Sequence, residues 1–197
     1  MRIISGTAKG RKLFAPAGDE TRPTSDKIRG SVFNIIGQRV YDAQVLDLFG
    51  GTGALSLEAV SRGAAYAVIA DAARAAIQVI ERNARNVVKE DFDNRIRILK
   101  SDYRSAIGLL DGRVFDLVFL DPPYRMVEAY ADALLRLNSM GCISEDTLIV
   151  MERMKATPVS VPDGFESVDV RFYGETAVEF VKKRSLNNKE ENTEDGV

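Results

Sequence analysis

Val45-Leu46-Asp47-Leu48-Phe49-Gly50-Gly51-Thr52-Gly53-Ala54-Leu55 decides the fold of this chain: a short apolar run passes into a glycine-rich turn, and a helical stretch, Ala54 to Arg62, begins at its end. Such a run reads as a buried strand. Glycines at its end let the backbone come close to a ligand at the carboxyl edge of a sheet, where the first N–H groups of the following helix are free to bind it. The same alternation repeats outward. Apolar runs at Ala67 to Ala70, Ile96 to Leu99, Val114 to Leu120 and Thr147 to Met151 are separated by helical stretches at Ala73 to Val88, Tyr103 to Leu110 and Val127 to Leu137. Five strands separated by helices predict βαβ units and a mostly parallel sheet. Phe165 to Tyr173 and Thr176 to Lys183 then follow each other directly across Gly174-Glu175, as an antiparallel hairpin at the sheet edge.

The chain has 197 residues, 45% apolar and 28% charged, which is the composition of one globular α/β domain with a small appendage. With no histidine and a single cysteine, Cys142, it has no internal disulfide and no Ser-His or Cys-His nucleophile, and no metal site is expected. The N-terminus lacks the apolar stretch of a secretory signal, and no run is long enough to span a bilayer, so a cytoplasmic protein without membrane contact is expected. Charge is uneven: residues 1–40 carry net +5, residues 41–184 net −4 and residues 185–197 net −3. That division predicts a basic N-terminal extension, a central domain and a disordered acidic tail. In the extension, Arg2 to Ala15 reads as a small hairpin. A helix capped by Thr24 or Ser25 follows, with Ile28, Val32, Ile35 and Ile36 on its apolar face and Arg22, Lys27 and Arg29 flanking or opposite. Arg11, Lys12, Arg22 and Arg29 are expected to meet the phosphates of a polyanion.

The acidic residues at strand ends outline a nucleoside site. Asp47 and the turn Phe49-Gly50-Gly51-Thr52-Gly53 close the first strand, Asp71 closes the second where it can accept ribose hydroxyls, and Asp102 follows the third near an adenine edge. A dinucleotide fingerprint requires glycine or alanine at the position held by Ser56, so a nicotinamide cofactor is the weaker reading. The preceding Asp-Leu-Phe points to S-adenosylmethionine. At the end of the fourth strand stands Asp121-Pro122-Pro123-Tyr124. The prolines remove two N–H donors and leave acceptors facing a substrate, the Asp121 carboxylate and the Pro122 carbonyl, beside the Tyr124 ring. Such an array suits an exocyclic amine on a nucleobase, whose delocalised lone pair must be aimed at an electrophile.

The order Asp47 to Gly53, Asp71, Asp102 and Asp121-Pro122-Pro123-Tyr124 resembles the amino-methylating class I methyltransferases. Arg2-Ile3-Ile4-Ser5-Gly6, Lys9-Gly10-Arg11-Lys12-Leu13, Arg22-Pro23-Thr24 and Phe33-Asn34 further resemble the bacterial 16S rRNA guanine-966 N2-methyltransferases. The resemblance covers residues 1 to about 184. It implies a Rossmann-like class I methyltransferase fold with a seven-stranded sheet, S-adenosylmethionine as donor, and a guanine amine of 16S rRNA or of the assembling small ribosomal subunit as acceptor. The chain is expected to act as a monomer. Asp121, Pro122, Pro123 and Tyr124 would serve catalysis. The chain departs from the family at Asp71, where glutamate is common, and at Ala73, where a second acidic residue often stands. Two other readings stay open on the residues alone: adenine-N6 methylation of DNA or RNA, which Asp-Pro-Pro-Tyr also permits, and a non-catalytic RNA-binding assembly factor.

Overall fold

The computed structural model describes residues 1–15 and 25–185. Arg22, Thr24 and the acidic tail beyond Ser185, all singled out in the sequence, lie outside the described residues. Seven strands form one sheet: β1 (Gln44–Asp47), β2 (Tyr66–Asp71), β3 (Ile96–Lys100), β4 (Phe115–Leu120), β5 (Ile143–Met154), β6 (Phe165–Tyr173) and β7 (Thr176–Lys183). Their order is β3-β2-β1-β4-β5-β7-β6. The first five are parallel, and β7 enters antiparallel between β5 and β6. This is the mostly parallel sheet with an antiparallel edge hairpin that the alternation of runs predicts, and the seven-stranded Rossmann-like fold that the resemblance implies. The chain winds from β1 toward β3, then returns to start β4 on the other side of β1, so the topological switch point lies between β1 and β4. Ligands of open α/β sheets bind in the crevice at the carboxyl ends of the strands on either side of such a point.

Helices α1 (Asp26–Ile36), α2 (Ala54–Ser61) and α3 (Arg74–Val88) cover one face of the sheet. After α4 (Phe92–Arg95), helices α5 (Tyr103–Gly108) and α6 (Glu128–Ser139) cover the other. Alternation along each strand divides the core in two. Val45, Ile69, Phe119 and Val150 pack beneath α1 to α3, and Leu46, Val68, Val118 and Ile149 pack beneath α5 and α6. Strand β5 extends beyond the expected Thr147 to Met151 at both ends. At its start the buried Thr147 hydroxyl donates to the Phe115 carbonyl and accepts the Ser144 N–H, which holds an irregular register through a polar stretch. At its end the buried Arg153 is matched by Glu179 of β7 at 2.9 Å, so the charged residues after Met151 continue the strand.

The N-terminal segment joins this core. Ile3, Ala8 and Leu13 are buried with Val32, Phe33 and Ile36 of α1 in the same cluster as the sheet, and the Phe33 and Phe119 rings lie 6.0 Å apart. The expected hairpin is reduced to one antiparallel bridge between Arg2 and Lys12, because the strip between them is committed to α2. Gly6, with φ +82, lies so close to the end of α2 that a Cβ would stand 1.8 Å from the Ser61 carbonyl oxygen. The Thr7 N–H donates to that carbonyl at 2.8 Å, and the Ala8 N–H donates to the Ser61 hydroxyl at 3.0 Å. One turn earlier the buried Glu58 carboxylate accepts the N–H groups of Ile4 (2.7 Å) and Ser5 (3.0 Å).

Arg29 corrects the reading of α1. It occupies the buried face with Val32, Phe33 and Ile36, while Ile35 is exposed. Its guanidinium donates to the Arg2 carbonyl and to Asp26, and its Nε lies 3.7 Å from Glu58. A side chain with no exposure cannot grip a phosphate, so Arg29 belongs to the core. Removing Glu58 would leave buried donors and a buried cation short of their acceptor, a loss on the scale of about 3 to 5 kcal/mol. Urea unfolding of Glu58→Ala is therefore expected to show a destabilisation of that size, and a change below about 1 kcal/mol would remove Glu58 as the anchor of the N-terminal segment.

Candidate active site

Strand alternation brings the predicted carboxylates together. Asp71 and Asp47 follow the buried Ile69 and Val45 by two residues, and Asp121 follows Phe119 in the same way, just past the end of β4. Glu152, two residues after Val150 on β5, completes the row. Four acidic side chains thus stand side by side across four adjacent strands, Glu152 within β5 one residue past the Leu120–Met151 pair, and the middle pair flanks the switch point. Glu152 was not singled out in the sequence. Its signal was there, as a charge placed immediately after the apolar run that stops at Met151.

Asp47 is almost wholly buried. It accepts the Phe49 N–H at 3.3 Å and the hydroxyl of the buried Ser56 at 3.1 Å. Ser56 holds the position that excluded the dinucleotide fingerprint, and its hydroxyl has a definite task there. Burial pushes the Asp47 pKa up from 3.8 to about 7; the bonds from Phe49 and Ser56 pull it down only in part, and the Asp71 charge adds to the rise. The Asp121 carboxyl is likewise held well above the usual carboxylate range, first by burial, then by the negative charges of Glu152 and Asp47. A concentration of buried negative charge of this kind favours a cationic ligand.

The glycine turn is fixed from three sides. The Asp71 carboxylate accepts the N–H groups of Gly51 (2.9 Å) and Ala73 (2.8 Å), and its remaining lone pairs stay available to a ligand. Gly53, with φ +76, forms the left-handed N-cap from which α2 starts. The buried Asn83 of α3 donates to the Thr52 carbonyl at 2.9 Å. The outer side of the turn is open, since a Cβ at Gly51 would meet nothing closer than the Phe49 carbonyl at 4.0 Å. Phe49 itself packs against Tyr103, with ring centroids 5.4 Å apart. Asp102 caps α5, accepting the Arg104 and Ser105 N–H groups and the Ser105 hydroxyl, and the Ser105 bonds hold its pKa below the usual value.

In the Asp121-Pro122-Pro123-Tyr124 segment, Pro122 is buried and its carbonyl accepts no hydrogen bond among the described residues. The Pro123 carbonyl is taken by the Met126 N–H at 2.7 Å, which turns the chain toward α6. Tyr124 lies 46% exposed at the rim of a shallow pocket that also includes Val127, Tyr130 and Arg153. The Tyr130 hydroxyl donates to the Glu152 carbonyl, which ties α6 to the end of β5. The segment therefore presents one carboxyl group, one open carbonyl and one accessible aromatic ring beside the crevice.

The basic residues expected to meet phosphate separate. Besides the buried Arg29, Arg11 donates to the Asn86 and Val87 carbonyls at the end of α3 and acts as a helix cap. Lys12 is exposed, as are Arg2, Lys9 and Lys27 nearby.

A family model described as conserved hypothetical protein 95 matches residues 1–182. "Putative rRNA methyltransferase YlbH" of Bacillus subtilis (strain 168) is 38% identical over 189 residues, covering 93% of this chain and 100% of that one. "Ribosomal RNA small subunit methyltransferase D" of Escherichia coli (strain K12) is 35% identical over 152 residues, covering 77% of this chain and 74% of that one. Among solved structures, "Putative methyltransferase yhhF from Escherichia coli" superposes with a TM-score of 0.79 at 32% identity over 93% of this chain and 97% of the other. The fold is that of the class I methyltransferases.

Asp47 yields a test that needs no ligand. Its pKa is higher in the folded than in the unfolded chain, so its contribution to stability is fully present below about pH 4 and is lost as pH rises toward 7, at about 1.4 kcal/mol per pH unit. Asparagine in its place carries no charge, and the Ser56 hydroxyl can rotate to accept from the new amide. Asp47→Asn is thus expected to melt higher than the wild type at pH 8, with the gap closing toward pH 4. A gap independent of pH would show that Asp47 is not held against ionisation.

Proposed function

The chain belongs to the conserved hypothetical protein 95 family, in company with the small-subunit rRNA methyltransferases D, and we propose from this premise that it transfers a methyl group to the exocyclic N2 amine of a guanine in 16S rRNA. It is a methyltransferase, and S-adenosylmethionine is the cofactor. The observation that carries the finer reading is the juxtaposition of the Asp121 carboxyl and the open Pro122 carbonyl at the switch point, beside the accessible Tyr124 ring.

The residues present fit this cofactor. Its methionine end is cationic, and the row Asp47, Asp121 and Glu152 sets carboxyl groups together at the switch point, where a cation would favour the charged forms of Asp47 and Asp121 that burial disfavours. The open side of the turn at Gly51 gives room for close approach, Asp71 has lone pairs for ribose hydroxyls, and Phe49 and Asp102 stand at the end assigned to adenine. The bound cofactor supplies an electrophilic methyl group on a sulfonium centre.

The chain's own residues then handle the acceptor. A guanine amine donates its two N–H groups to Asp121 and to the Pro122 carbonyl, which favours a pyramidal nitrogen and directs its lone pair along the line of transfer. Pro123 fixes the backbone so that both acceptors keep their direction, and Tyr124 stacks on the base. The ammonium formed after transfer is strongly acidic, and Asp121, with its raised proton affinity, is placed to receive the released proton. Exposed cations of the N-terminal segment, Lys9, Lys12 and Lys27, attract the phosphates of the RNA.

Incubation with labelled S-adenosylmethionine and unmodified small ribosomal subunits, followed by mapping of the label, tests the reading directly; label on an adenine N6 would overturn it in favour of the adenine alternative. Asp121→Ala and Tyr124→Ala are expected to lose about 100-fold or more in transfer rate, the scale for removing an oriented group from a transition state, with cofactor affinity nearly unchanged. Full turnover by Asp121→Ala would falsify the amine-positioning role. For the RNA surface, replacing both Lys9 and Lys12 by glutamine should flatten the slope of log affinity against log salt by about 1.4 to 1.8. Slopes identical to the wild type would mean that RNA enters elsewhere.

A further inference from the structure

The amide of Asn83 joins two parts of the molecule to which the proposed reaction gives separate tasks. Asn83 lies in the middle of α3 and has no exposure. Its Oδ1 accepts the Phe14 N–H at 2.8 Å, and its Nδ2 donates to the Phe14 carbonyl at 2.9 Å and to the Thr52 carbonyl at 2.9 Å. Both amide hydrogens and the amide oxygen are therefore in use, and no other side chain of this size offers two donors and one acceptor in one plane. Toward Phe14 the amide behaves like a neighbouring strand. Toward Thr52 it sets the plane of the peptide between Thr52 and Gly53, whose N–H donates in turn to the Gly50 carbonyl at 2.6 Å. A peptide that holds its carbonyl toward Asn83 must send its N–H the opposite way, so the curvature of the cofactor turn and the position of Phe14 are set by one planar group.

The surrounding seam is built to transmit that constraint. On the same helix the Asn86 amide donates to the Lys12 carbonyl at 3.0 Å, and the Arg82 guanidinium stacks 3.3 Å from the centroid of the Phe14 ring. Arg11, Lys12 and Phe14 are thus held along α3 from its end to its middle, and only Asn83 among these contacts also reaches the glycine turn. We propose that Asn83 is a positioning residue that couples the cofactor turn to the N-terminal segment, so that S-adenosylmethionine and RNA bind with a shared free energy. The coupling rests on the function proposed above. Any adjustment of the turn around the cofactor moves the Thr52 carbonyl, and through the Asn83 amide it moves or steadies Phe14 and the basic strip before it. Linkage then requires the converse, that RNA on the strip changes cofactor affinity by the same factor.

The test measures the affinity of unmodified 16S rRNA for the full chain with and without saturating S-adenosylhomocysteine, over the wild type, Asn83→Leu and Asn86→Ala. The wild type is expected to bind RNA at least fivefold more tightly or more weakly with the nucleoside present, within the usual range of allosteric coupling. In Asn83→Leu this factor should fall to about one while each ligand still binds. Asn86→Ala, which loosens the same strip without touching the turn, should keep it. Equal RNA affinities in the wild type overturn the proposal without recourse to any variant, and so does a factor retained in Asn83→Leu. Failure of the wild type to bind either ligand alone would instead overturn the proposed function on which the coupling rests.

Discussion

The carboxylate of Glu58 is the interaction on which the placement of residues 1–15 and of the start of α1 depends. It is buried on α2 and accepts two N–H groups of the N-terminal segment, with Arg62 at 2.7 Å and Arg29 at 3.7 Å. A buried carboxylate without such partners would cost several kcal/mol, so the N-terminal strip and the start of α1 are held wherever Glu58 stands. Glu58 in turn stands where the glycine turn releases α2. That helix is covered on both sides, by the sheet and by the N-terminal segment, and each of its buried polar side chains has a partner: Ser56 meets Asp47, Glu58 meets Ile4 and Ser5, and Ser61 meets Ser5 and Ala8. One short helix thus fixes a residue of the candidate active site and the segment that carries the basic surface.

The candidate site works against the economy of the core that surrounds it. Aligning Asp71, Asp47, Asp121 and Glu152 across neighbouring strands sets like charges together in a place with little water, and the raised pKa values of Asp47 and Asp121 record the cost. Hydrophobic burial on both faces of the sheet offsets it. A polar surface at the same position would relieve the strain, but on the proposed function it would also remove the field that draws the cationic cofactor to the switch point. Sites of this kind are expected to depart from optimal stability, because the group that completes them is a ligand.

Most of the architecture was legible because parallel strands buried on both faces read as continuous apolar runs, and each run here is bounded by a glycine, a proline or a charge. Strands β6 and β7 have the expected ends, Phe165–Tyr173 and Thr176–Lys183, since Gly174 punctuates a plain alternation. Strand β5 was harder: its buried ends are polar, and Thr147 and Arg153 are tolerable there only through partners distant in sequence, Phe115 and Glu179. Helix α1 was misread for a related reason. Positions 29, 32, 33 and 36 form one helical face, but a face that begins with arginine looks like a solvated one until Glu58, 29 residues later, is known to lie beneath it. Asn83 and Ser56 left no comparable trace, because an amide or hydroxyl in an amphipathic pattern does not disclose which backbone group it will meet.

The same correction changes how the charge of the N-terminal segment should be understood. A net charge of +5 over residues 1–40 counts Arg29, which is spent in the core, and Arg11, which caps α3. Arg2 shares Asp26 at 3.8 Å. Among the described residues, what else is exposed near the strip is Lys9, Lys12 and Lys27, whose ammonium groups act as mobile point charges and lack the rigid fork with which arginine reads a base edge or a phosphate bidentately. On the proposed function, such a surface attracts and orients an RNA backbone without distinguishing one sequence from another. On the same proposed function, selection of the target base falls to the sheet, to the acceptors of Asp121 and Pro122 and the crevice beside Tyr124. On that function attraction and selection are separated in space, and the amide of Asn83 ties the N-terminal strip to the glycine turn.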